Sequence, residues 1–260
     1  MQQNINPRLA SNEHQASENS FQKAVKQVFI SPLFIIFIAS VYLFLSMVIS
    51  SLLFEVEYIS IPFNRLFDTL DAAGPWGRLA LTNIIAALVV AILAMGGFAV
   101  VMINIGGNLY GTGCKVGFYL IKIPKFLQNI LTLFSVALVA FKMVGDIFGM
   151  YPSQIDDPAV VYLTVAILLI LLAAAYLIFF SFKSLITVSV MKEAICTATP
   201  ITKQYLFTAI GYFVLADVAI GAQFFIGFNL TYTLGCVCSV LFGIVCIVFR
   251  RTMRRIDVQQ

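Results

Sequence analysis

Six apolar stretches, each long enough to cross a bilayer, limit the fold of this chain more than any other feature. They run at about 31–53, 79–104, 126–145, 159–182, 205–226 and 229–249. At 1.5 Å rise per residue, roughly 20 apolar residues cross a ~30 Å hydrocarbon core. No water reaches backbone polar groups there, so a spanning segment bonds its own amides as a helix. The stretches predict an all-α polytopic integral membrane protein of six transmembrane helices. Composition agrees: 61% of residues are hydrophobic and 11% charged, against roughly a quarter charged in soluble domains, and mean hydropathy is +0.98. Residues 205–249 hold one charge, Asp217. As a single helix they would be about 67 Å long, so a turn is expected, best placed at Gly227-Phe228-Asn229.

Charge orients the spans. Thirteen of the 16 lysines and arginines fall in four segments. These are the N-terminus (Arg8, Lys23, Lys26), 105–125 (Lys115, Lys122, Lys125), 183–204 (Lys183, Lys192, Lys203) and the C-terminus (Arg250, Arg251, Arg254, Arg255). They alternate with acidic segments at 54–78 and 146–158. The positive-inside rule puts all four, and with them both termini, in the cytoplasm. An even number of spans agrees, since it puts both termini on one side. The expected setting is the plasma membrane, crossed several times. Since orientation accounts for the cations, the net charge of +4 gives no argument for a nucleic-acid partner.

The expected organisation is a disordered polar tail at 1–20, an interfacial amphipathic segment at 21–30, one transmembrane domain at 31–249 and a basic cytoplasmic tail at 250–260. In the second segment, Phe21, Val25, Val28 and Phe29 share a helical face opposite Lys23 and Lys26, as suits the inner membrane surface. A second short interfacial helix is expected at 63–72, followed by Trp76 as a headgroup-level anchor. No small-residue cleavage site follows the first apolar run, so that run is expected to stay as a span.

Few residues suggest chemistry. Asp217 lies twelve residues past Tyr205, ~18 Å into its helix and near the bilayer midplane. A carboxylate at that depth costs roughly 3 kcal/mol or more and suggests function by default. Lys142 lies ~24 Å from the inner surface, about 6 Å from the depth of Asp217. It could pair with that acid or snorkel outward beside Asp146. Gly106, Gly107, Gly111, Gly113 and Gly117 fail every phosphate-loop spacing. Gly107–Gly111 and Gly113–Gly117 do match G-x-x-x-G, which suits close helix packing or a hinge. Five cysteines, none in an expected external loop, predict reduced thiols rather than disulfides.

Catalysis is not expected. The one histidine, His14, sits in the tail, and a zinc site, a Ser-His pair and a facing pair of membrane carboxylates are all missing from the sequence. Neither a cofactor nor a metal is expected. The reading that remains is a small permease-like or transporter-like subunit without its own ATPase. Asp217 would bind a proton or cation, and Asp217→Asn would abolish transport. The alternative is a non-transporting scaffold, assembly factor or lipid-organising protein, for which the amphipathic segments at 21–30 and 63–72 would matter most. The expected partners are the lipid bilayer and either a cytoplasmic subunit or a second copy of the chain.

Overall fold

The computed structural model describes residues 20–53, 72, 74–154, 158–226 and 230–259. The tail with His14, all but the last residue of the surface helix expected at 63–72, and the turn expected at 227–229 lie outside the described residues. Seven helices are described: α1 (20–29), α2 (Pro32–Leu53), α3 (Pro75–Gly106), α4 (Thr112–Gln154), α5 (Pro158–Thr197), α6 (Tyr205–Ile226) and α7 (Leu230–Gln259). There is no strand among the described residues. Five of the helices contain segments long and apolar enough to cross a membrane. In α6 the apolar segment is shorter, Tyr205–Gly221. The chain is a multi-pass integral membrane protein in contact with the lipid bilayer.

The described parts of the four basic segments gather at one end of the bundle, here called the basic end. A single hydrophobic core there takes Phe21 and Phe29 from α1, Ile105 from α3, Cys114 and Phe118 from α4, Ile195 from α5, Tyr205 from α6, and Phe249 and Met253 from α7. Packing thins toward the other end. On α5, Tyr162 is 75% exposed and Leu172 70% exposed, and on α4 Phe141 is 83% exposed.

Three segments differ from the sequence expectations. Residues 105–125 are not a loop. Only 107–111 interrupt the helices, and α4 then runs 43 residues, ~64 Å of helix. The reason is the apolar face formed by Cys114, Phe118 and Ile121, at i, i+4 and i+7, which is buried with Val101 and Ile105 of α3. Likewise 183–197 continue α5, burying Leu185, Val188, Met191 and Ile195, while Lys183 and Lys192 lie over the rings of Phe179 and Tyr119. Most of the C-terminal segment is the end of α7. It keeps Met253 and Ile256 buried, with Arg251, Arg254 and Arg255 on the opposite, exposed face.

The amphipathic face of α1 is covered by protein rather than left for the membrane surface. Phe21, Val25 and Phe29 are fully buried, and the Phe29 ring lies 4.8 Å from Phe34 and 6.0 Å from Phe249. Lys26 Nζ donates to the Gly106 carbonyl and to Asn108 Oδ1, each at 3.0 Å. Asn108 has a φ of 58°, a conformation asparagine tolerates, and the lysine takes up a carbonyl that the end of α3 leaves without an intrahelical partner. Tyr110 Oη donates to the Gln22 carbonyl at 2.9 Å. Burial raises its pKa, and the neighbouring Cys114 adds to the rise. At the start of α3, Gly74 is the N-cap at φ 67° with Pro75 in the first turn. Proline is suited to that turn because its missing N–H would have no partner there.

The six long helices close a ring. The order α3–α4–α5 is one packed group and α6–α7–α2 another; where the groups meet, α2 on α3 and α5 on α6, the contacts are sparse. Two hydroxyl pairs bridge the α5–α6 seam, Thr187 with Thr208 at 2.6 Å and Ser184 with Tyr212 at 3.0 Å.

Candidate functional site

The residues singled out from the sequence do not come together. Asp217 is exposed, on the face of α6 that also presents Ile210, Val214 and Val218 outward. No hydrogen bond or ion pair joins it to a described residue, so the pair with Lys142 is not formed. Lys142 is exposed on the loosely packed half of α4. Of the glycines, Gly106, Gly107 and Gly111 are exposed at the α3–α4 connection. Gly113 and Gly117 face α3: a Cβ on Gly113 would strike the Asn104 side chain, and one on Gly117 would come 2.7 Å from the Gly97 carbonyl.

What the fold does assemble is a cavity at the seam between the two helix groups. It holds about 330 Å³ and takes wall residues from all six long helices. Toward the basic end it is closed by aromatic rings. Phe37 and Phe242 are 5.3 Å apart, Phe98 lies 6.2 Å from Phe37, and Tyr212 lies 4.8 Å from Phe242. Above these rings sit Lys125 and Gln128 of α4, Ser184 of α5, and Cys238 and Ser239 of α7, with the Tyr212 hydroxyl of α6 bonded to Ser184. Among the described residues Lys125 is the only charged side chain in the wall, and its Nζ donates to Gln128 Oε1 at 3.1 Å. A second chamber of about 660 Å³ continues away from the basic end between α2, α3, α6 and α7. The two share Val41, Ala87, Ala91, Cys238 and Ser239, and the second is otherwise almost wholly apolar, walled by residues such as Phe44, Leu45, Val48, Leu88 and Leu215.

Beside the cavity, α4 carries a stripe of polar residues, Lys125, Gln128, Asn129, Thr132 and Ser135, at i, i+3, i+4, i+7 and i+10. Asn83 of α3 donates through Nδ2 to Ser135 Oγ at 2.7 Å and accepts from Thr132 Oγ1 at 3.1 Å. Ser181 of α5 donates to Asn129 Oδ1 at 2.7 Å. Asn129 Nδ2 is buried with no partner, the kind of orphan donor that membrane interiors penalise. Charge alone singles out Lys125 but not Gln128, Asn129, Thr132 or Ser135. The signal that could have found them was the helical period of uncharged polar residues inside an apolar run.

Both chambers fall within or near the 300–1,000 Å³ usual for ligand sites, and a mostly apolar wall with a few convergent polar groups is their usual makeup. No group of three or more metal-ligating side chains gathers among the described residues. No protein-family model, curated protein or solved structure matches the chain.

Proposed function

We propose that the protein is a six-span permease-type subunit without an ATPase of its own, with both termini cytoplasmic and the seam cavity as its substrate chamber. One observation carries this reading: the cavity lies between two helix groups that are each well packed and touch each other sparsely. In transporters, alternating access is largely the rigid-body rocking of one bundle against another around a midplane site. The aromatic closure toward the basic end corresponds to a chamber shut on the cytoplasmic side. The orientation rests on the positive-inside rule, and the plasma membrane is the setting that goes with it.

Asp217 is outside the chamber, so the proposal does not depend on its titration. The scaffold reading loses support, because the amphipathic face at 21–30 is spent on the protein's own core. We read the chain as a carrier rather than an enzyme because its sequence supplies neither a membrane histidine nor a second midplane carboxylate.

Distances across the seam test the proposal. Spin labels at Ile85→Cys on α3 and Val218→Cys on α6, both exposed, should give two populated distances in lipid nanodiscs. One narrow distance under all conditions would argue for a static scaffold.

A further inference from the structure

We infer that the two joined chambers bind a single-chain amphiphile with a monoanionic head, of the fatty-acid carboxylate class, with its head at Lys125 and its tail in the apolar chamber. This rests on the permease reading only in calling the amphiphile a substrate; the site itself follows from the wall chemistry.

The head is fixed by charge and by donors left over. An ammonium has three N–H donors, and Lys125 uses one on Gln128. No carboxylate among the described residues lines either chamber. Ser184 and Tyr212 carry two O–H donors and share one hydrogen bond, so one hydroxyl proton remains for a ligand. A single cation with one spare hydroxyl matches a single negative charge. A multiply charged phosphate would leave charge unmatched in an apolar surround, which is costly.

The tail is fixed by shape. The apolar chamber adjoins the polar one, sharing Val41, Ala87 and Ala91 of its wall, and extends toward Val48 and Leu215. A small polar solute would leave that volume without favourable contacts. An acyl chain gains by filling it, since each CH₂ moved out of water is worth about 0.8 kcal/mol. Lys183 and Lys192, in contrast, rest on aromatic faces outside this wall.

The test uses the full-length purified protein in nanodiscs and a photoactivatable palmitate analogue carrying its diazirine on the chain. Labelling should map to the apolar chamber wall near Phe44, Leu88 and Leu215. Unlabelled palmitate should compete, whereas hexadecanol and inorganic phosphate should compete poorly. Lys125→Gln should weaken palmitate competition by about tenfold or more, the usual effect of losing a charge-assisted hydrogen bond, and Lys125→Arg should retain it. Ala91→Phe, at a wall position that the two chambers share, should abolish labelling and keeps the test decisive if Lys125→Gln fails to fold. Labelling elsewhere, competition by hexadecanol or phosphate equal to that of palmitate, or wild-type labelling in Ala91→Phe would overturn the inference. The seam distances are read separately, so losing this ligand class would leave the permease reading to stand or fall on its own.

Discussion

Gly97 on α3 and Gly117 on α4 face each other where the two helices cross: a Cβ on Gly97 would lie 2.6 Å from the Gly117 carbonyl, and one on Gly117 would lie 2.7 Å from the Gly97 carbonyl. Small residues at such a crossing let the backbones approach and gain dispersion contacts, which substitute in lipid for the missing hydrophobic drive. Since part of the obstruction on each side is backbone, turning a side chain cannot by itself relieve it. Gly117→Ala is expected to cost about 1–3 kcal/mol, the usual range for overpacking, and Gly117→Leu more. Gly111→Ala, where a Cβ meets nothing within 4 Å, should be much milder. Melting temperatures of the three variants in one detergent give the order.

The α1 helix acts as a clamp. Phe29→Ala should destabilise by about 3–5 kcal/mol, as for other buried aromatic deletions, and Lys26→Met should free the α3–α4 turn. Hydrogen exchange at 107–111 should then rise. Removing residues 1–30 should yield aggregated protein. A well-folded truncated protein that merely fails to recruit a partner would instead favour the scaffold reading.

Much of this was legible in the sequence and some was not, for identifiable reasons. The long apolar helices and the gathering of the described basic residues at one end follow from hydropathy and charge, which need no knowledge of neighbours. The helical extensions at 112–125 and 183–197 were hidden because a hydropathy window ends where lysines begin, although Cys114, Phe118 and Ile121 keep the period of a helix. Lys125 read as one of three loop lysines. Its place in the cavity wall depends on Ser184 and Tyr212, which arrive from two other helices. Asp217 was legible as a charge inside an apolar run, but which way its helix faces is decided by its packing on α7, not by α6 alone.

Asp217→Asn removes a charge from an outward face shared with Ile210 and Val214. With no described partner to lose, the variant should melt in nanodiscs no lower than wild type, and up to about 3 kcal/mol of insertion cost should be relieved. Accessibility of the cavity should not change. A clear drop in melting temperature would mean that the carboxylate is anchored, and would return it to the centre of the mechanism.

Cysteine reactivity separates the thiols at the basic end. Cys196 is half-buried and Cys114 fully buried. A membrane-impermeant maleimide applied from the cytoplasmic side should label Cys196 and spare Cys114 until the protein is denatured. Labelling of Cys196 from the outside would reverse the orientation.

The central claim is that the seam cavity is a chamber that opens in turn to each side of the membrane. Its most direct measurement is the reaction of Ser184→Cys, in a cysteine-free background, with a small membrane-impermeant methanethiosulfonate. The reagent is applied to intact cells in one arm and to inverted vesicles in the other. The account predicts modification from both sides, slowed by Ala91→Phe from the outside only. Modification from one side alone, or from neither, would contradict it.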